Sequence, residues 1–312
     1  MSFRTDPASI SGSIAPIVTP FTDDGSVDHD SLRGLVDWQL ANGSDGISIG
    51  GSTGEPSAQT IAERAEAIRT VAAAVDGRVP FLPGTGTAKL DETLELTSAA
   101  RDAGADMALV ITPYYARPTQ EAMYVWYSTV AREFPDLPIV AYNVPSRTAV
   151  ELAPETIARL FRDLDNFVGV KETTKDFEHF SRVRYEAGPE ILMWSGIELL
   201  CLPLLALGGQ GFISALANIA PAAVAEMYAA ATEGNWRRAQ EIHYGVHPLV
   251  DLLFTETNPA PVKWLMAERG LIASSAVRSP LIGLTEDGRS TVTRLAEIGA
   301  DYLTPAPAAT TA

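Results

Sequence analysis

Eight short runs of β-forming residues recur along the first two thirds of the chain: SIAPIVTP (13–20), GISIG (46–50), VPFLPGTG (79–86), MALVITP (107–113), PIVAYNVP (138–145), FVGVKETT (167–174), ILMWSG (191–196) and GFISA (211–215). The segments between them, among them 58–75, 90–103, 119–133 and 154–162, carry the Ala, Glu, Arg and Leu content and the spacing of amphipathic helices. Strict alternation of strand and helix calls for a parallel sheet, and eight such units suit an α/β fold of the (β/α)₈ TIM-barrel type. A doubly wound sheet would place a glycine-rich phosphate loop after its first strand, whereas the first run here ends in TPFTDDGS. Helical spacing continues at 220–234, 236–255, 261–269 and 286–298. The expected organisation is therefore a barrel over 1–234, a C-terminal helical extension over 235–302, and a disordered tail over 303–312, where TPAPAATTA offers nothing to bury.

Composition narrows the function classes. With 39 acidic against 23 basic residues the formal charge is −16, which argues against a nucleic-acid or anionic-membrane surface and leaves small molecules as the expected partners. The single cysteine, Cys201, excludes an intrachain disulfide and sits in LLCLPLL, the setting of an inert core thiol. The first residues lack the apolar centre of a signal peptide, and the expected location is the cytoplasm.

In a barrel of this kind chemistry gathers where strands end. Those ends hold Gly51-Ser52-Thr53-Gly54-Glu55, Pro113-Tyr114-Tyr115, Tyr142 with Arg147, Lys171, and Ser195-Gly196. Lys171 interrupts an otherwise apolar strand. A lysine so placed either marks a rim and pairs with Glu172 or Asp176, or is kept there to react, because burial favours the free amine that attacks a ketone to give a Schiff base. Tyr142 ends the preceding strand within reach of such an imine, as a rim-packing aromatic or a proton-transfer group. The Gly51 to Gly54 turn offers hydroxyls and bare backbone N–H groups to a carboxylate, or is a plain turn; Arg147 could clamp a second carboxylate or be solvated.

Three other patterns carry less. Gly46-Ile47-Ser48-Ile49-Gly50 matches the nucleophile elbow of serine hydrolases, yet Ser48 alternates with isoleucines inside a strand and no helix follows directly. His243, His247 and Asp251 share one helical face without the glutamate of a zinc-binding helix, so no metal is expected. GTGTAK (84–89) lacks the spacing of a phosphate-binding loop.

Taken together, GSTGEPSAQT, TPYYARPTQE, YNVPSRT, VGVKETT, LGGQGFIS and NPAPVKW closely resemble the dihydrodipicolinate synthase / N-acetylneuraminate lyase family of class I, Schiff-base aldolases, over about residues 14–284. The resemblance implies that Lys171 forms an imine with pyruvate and needs no other cofactor. It implies that Tyr142 shuttles protons with Ser52, which stands where threonine is usual, and with Tyr115, which enters the neighbouring subunit's site beside Tyr114. It further implies that Thr53 holds the pyruvate carboxylate, that Ile213 packs on the bound pyruvate, and that the protein is a homo-oligomer, a dimer or a homotetramer; Gly196 is expected among the substrate-binding residues. Arg147 in PSRT is similar to the arginine with which synthases hold aspartate semialdehyde, and neuraminate lyases differ there.

Two departures bear on the substrate. Ser195-Gly196-Ile197-Glu198 replaces a common Ser-Gly-Asp-Asp, which keeps open a catabolic aldolase acting on a different 2-oxo acid. Pro56, Ile61, Arg64 and Ala88 replace the polar residues of lysine-inhibited synthases, with only Glu92 retained, so feedback inhibition by lysine is not expected. A non-catalytic protein that binds a 2-oxo acid is the alternative from outside the enzymes.

Overall fold

The computed structural model describes residues 3–307. Seven parallel strands form one sheet: β1 (Gly12–Pro16), β2 (Gly46–Ser48), β3 (Ala108–Ile111), β4 (Ile139–Asn143), β5 (Phe167–Glu172), β6 (Leu192–Ser195) and β7 (Gly211–Ile213), in the order β2-β1-β7-β6-β5-β4-β3. The two edges of that order are joined by the third apolar run. Phe81 bridges to Ile47 of β2, and Gly84 bridges to Leu109 of β3, both in the parallel sense. The run closes the barrel without qualifying as a continuous strand because Pro80 and Pro83 lack N–H donors. Their carbonyls still accept from Ile47 and Leu109 at 3.0 and 2.9 Å. The chain is a TIM barrel whose eighth stave is reduced to bridge pairs.

Two-residue alternation decides what faces inward. Ile14, Leu82, Leu109, Val140, Tyr142, Leu192, Trp194 and Ile213 form the cluster inside the barrel, while Ala15, Ile47, Ala108, Ala141, Val170 and Met193 pack outward under the helices. In β5 the pairing slips: Ile139 faces Phe167 but Val140 faces Gly169, so Val168 is an extra residue. Past that bulge the alternation places Val170 outward, hence Lys171 inward and Glu172 outward.

The helices expected from spacing are present at Ile61–Val75, Leu90–Asp102, Gln120–Glu133, Pro154–Asp163, Pro221–Thr232, Ala260–Glu268 and Glu286–Ile298. The segment expected as one helix over 236–255 is instead two, Trp236–Gly245 and His247–Leu253, because Pro248 cannot supply the N–H that a continuous helix requires. These C-terminal helices build a second core on the barrel's flank through Ala239, Ile242, Leu249, Leu252, Val262, Met266 and Val292. The tail expected from 303 on is ordered at its start: Thr304 donates its N–H to the Ile219 carbonyl, and Trp38 Nε1 donates to Pro305 O at 2.9 Å. Residues 308–312 lie outside the described residues. No described helix is long and apolar enough to cross a membrane.

Candidate active site

Lys171 projects from the C-terminal end of β5 into the barrel mouth and is only 5% exposed. Its neighbours in register are Tyr142 on β4 and Trp194 on β6. Lys171 Nζ lies 4.3 Å from the centroid of the Tyr142 ring, and the Tyr142 hydroxyl shares a 3.2 Å hydrogen bond with Ser52 Oγ. The rim reading of the lysine fails on geometry. Glu172 faces outward, its Oε1 accepting from the Thr173 and Thr174 N–H groups at 2.8 and 2.7 Å and its Oε2 from Asn143 Nδ2 at 3.0 Å. Among the described residues Lys171 has no ion-pair partner.

Gly196 completes the amine's surroundings. A Cβ there would fall 2.5 Å from both Lys171 Cε and Thr173 Cγ2, so a larger residue would push the lysine chain out of its present path under the turn after β6. One cleft is lined by Lys171 with Ser52, Thr53, Tyr142, Arg147, Gly196, Ile197, Glu198, Ile213, Phe254 and Asn258. The sequence-derived residues Lys171, Tyr142, Ser52, Thr53, Arg147, Gly196 and Ile213 are thus brought to one place. Tyr115 is not. It sits on the loop after β3 with a left-handed φ of 71° and is 94% exposed, away from Tyr142 and Ser52 of its own chain. Tyr114 is half-buried and lines an adjoining cleft with Pro56 and Arg64, which shares Ser52, Tyr142 and Arg147 with the first. Arg64 donates to the Gly84 and Gly86 carbonyls, and burial pushes its guanidinium down to about 10.

Sequence reasoning missed Asn258 and underrated Glu198. Asn258 Nδ2 donates to Thr53 Oγ1 at 3.1 Å, which leaves its buried Oδ1 without a partner in the cleft. NPAPVKW contained the residue, but nothing local shows that a segment past the barrel returns to its mouth. Glu198 is buried against the Ala215 N–H at 2.9 Å; burial raises its carboxyl above the usual range, with Lys171 opposing.

Behind β5, His179 Nε2 is 3.1 Å from Glu172 and Nδ1 is 3.1 Å from Glu151. Burial alone would depress the imidazole, but the two carboxylates outweigh it and its pKa is raised. A raised folded-state pKa contributes stability that is fully present below the ordinary histidine value of 6.5 and lost as pH rises through the folded value. Melting temperatures of the parent should therefore decline with pH above 6.5, and His179→Gln should flatten that decline. An equal slope in both proteins would contradict the assignment.

The remaining motifs do not form sites. Ser48 is buried inside β2 rather than exposed on a turn, so the elbow reading is excluded. His243 and His247 stand on separate helices with rings 5.6 Å apart, and among the described residues no group of three potential metal ligands occurs. The Cys201 thiol is buried, and burial lifts it well above its ordinary range.

The model of the dihydrodipicolinate synthetase family matches residues 9–298. The chain belongs to that family. A 4-hydroxy-tetrahydrodipicolinate synthase of Thermus thermophilus is 44% identical over 286 residues, 92% of this chain and 95% of the relative. One of Nitrosococcus oceani is 43% identical over 88% of this chain and 93% of its own length. Among solved structures, a chloride-inhibited dihydrodipicolinate synthase of Acinetobacter baumannii complexed with pyruvate superposes with a TM-score of 0.90 at 38% identity, covering 94% of this chain and 99% of that one. The Aquifex aeolicus dihydrodipicolinate synthase gives 0.90 at 37% identity, with the same coverage of both chains. The family's Schiff-base chemistry fits a buried amine that faces a phenol.

Proposed function

We propose that the protein is a 4-hydroxy-tetrahydrodipicolinate synthase that condenses pyruvate with aspartate semialdehyde through an imine on Lys171. The observation that carries this is the Lys171 amine 4.3 Å from the Tyr142 ring centroid, beside the Ser52–Tyr142 hydroxyl pair, in a cleft that also admits Arg147. Lys171 Nζ adds to C2 of pyruvate and water leaves, with Tyr142 moving the protons. The imine is itself the electron sink, so no further cofactor is called for. The enamine C3 attacks the aldehyde carbon of the second substrate, whose carboxylate Arg147 holds; the substrate's own amine then displaces Lys171 as the ring closes. Thr53 and Ile213 accommodate the pyruvate moiety.

The relay needs a third hydroxyl that this chain does not bring to its own site. Tyr115, exposed on a strained loop, supplies it from a second copy, which supports a homo-oligomer with Tyr114 at the same contact. Mixing Lys171→Ala chains with Tyr115→Phe chains under exchange should restore activity absent from either alone, and no recovery would place Tyr115 outside the relay. One buried thiol and a small-molecule site support a cytoplasmic protein.

A coupled assay with pyruvate tests the substrate. Aspartate semialdehyde should be consumed faster than any other aldehyde in a panel. Ile197 and the half-exposed Phe254 give the cleft an apolar margin, which favours an alternative aldolase substrate only if another aldehyde is consumed faster. Arg147→Ala should spare the pyruvate imine and lower kcat/KM for the aldehyde by about 10²-fold, since a charge-assisted bidentate contact is lost. Equal loss of both steps would make the arginine structural.

A further inference from the structure

Lys263 is fully buried, at 0% exposure, and it stands on Ala260–Glu268 of the C-terminal extension rather than in the barrel. Its Nζ donates to Glu55 Oε1 at 2.8 Å and to the Thr19 carbonyl at 3.0 Å, and lies 4.1 Å from the centroid of the Phe21 ring. Glu55 is the residue that closes the Ser52–Gly54 turn, held in a left-handed conformation with φ 52°. Its other oxygen accepts the backbone N–H of Arg278 at 3.0 Å. The Arg278 guanidinium in turn binds the Gly25 and Ala58 carbonyls and both oxygens of Glu63, the residue that completes the capping box of Ile61–Val75. Gly54 O is held by Thr19 Oγ1 at 2.8 Å and by Gln59 Nε2 at 2.6 Å. Apart from local bonds by Gln59 and the Ser52–Tyr142 hydroxyl pair, the tethers on the turn that carries Ser52 and Thr53 run to the first strand's loop through Thr19 and to the extension through Asn258, Lys263 and Arg278.

A buried ion pair is weak evidence for stability, because apolar residues of similar volume often serve as well. What apolar packing does not supply is a directional hold on a left-handed corner, which costs strain unless its surroundings fix it. We propose that Lys263, with Arg278, is a positioning residue for the pyruvate site: by clamping Glu55 it sets where the Ser52 and Thr53 hydroxyls stand relative to Lys171. The inference rests on the reading of Thr53 and Ser52 as pyruvate-side groups. The C-terminal extension then takes part in catalysis through the turn, without touching substrate.

The test is the double variant Glu55→Leu/Lys263→Met, which removes both buried charges together, so that neither is left unpaired. Its KM for pyruvate should rise about tenfold or more while kcat, measured at saturating pyruvate, changes less, as expected for a displaced binding turn. A purely structural role would lower the active fraction, and with it kcat, at unchanged KM. A pyruvate KM within twofold of the parent overturns the proposal. Should the double variant fail to fold, Glu55→Gln/Lys263→Met, which keeps an amide oxygen for the Arg278 backbone N–H but removes the ion pair, is measured in its place. It should raise the same KM about threefold, and an unchanged KM there overturns the proposal equally. Borohydride trapping of the parent with pyruvate is run alongside. An adduct there with no KM effect in the variants rejects the positioning role alone, whereas no adduct in the parent rejects the imine reading beneath it.

Discussion

Replacing Lys171 with alanine is expected to lower turnover by about 10³-fold or more while leaving the fold intact, because covalent catalysis has no substitute nucleophile in the cleft. The geometry supports both halves of that expectation. Lys171 points into the barrel mouth with no ion-pair partner among the described residues, so its removal leaves no buried carboxylate unpaired. Nearby, Glu172 keeps its four contacts to Thr173, Thr174, Asn143 and His179, and the loop after β5 stays anchored. Circular dichroism should match the parent, and the coupled assay should read background. Retained turnover above a tenth of the parent rate would require a non-covalent mechanism.

The second large effect concerns stability. Lys263→Met alone should cost about 3–5 kcal/mol, because it strands the Glu55 carboxylate in a dry site. A loss of that size is a large fraction of a typical folding free energy, so denaturant midpoints should fall far. Adding Glu55→Leu should recover much of it, since the double variant buries no charge. That recovery is what distinguishes an unpaired charge from a lost methylene contact. If the single and double variants melt alike, the pair is not the source of the loss.

The order of strands was legible from spacing because each run is bounded by turn residues and each intervening segment has helical periodicity. Its inward and outward faces were less so. The Val168 bulge resets the alternation in β5, and without the pairing of Val140 with Gly169 the sequence does not say which of Lys171 and Glu172 enters the barrel. The third stave reads as a strand by content yet pairs only through bridges, since Pro80 and Pro83 remove donors. Pro248 in HYGVHPLV was visible as a break but lay inside a longer helical pattern that hid it.

The candidate site divides in the same way. Lys171, Tyr142 and Ser52 could be gathered from strand ends alone because the barrel brings all strand ends to one rim. Asn258 and Lys263 could not, since they reach Thr53 and Glu55 across 205 and 208 residues of chain, and only the folded extension shows that contact. Tyr115 marks the opposite case: its role was assigned by likeness alone, and in the single chain the ring is exposed and away from Ser52 and Tyr142.

The proposed chemistry turns on a covalent imine between the Lys171 amine and pyruvate. Incubation with pyruvate followed by borohydride reduction and peptide mass analysis tests it most directly. A single reduced pyruvate adduct is expected on the peptide that contains Lys171, and none in Lys171→Ala. A folded protein that gives no adduct, or one that carries the adduct on another lysine, would contradict it.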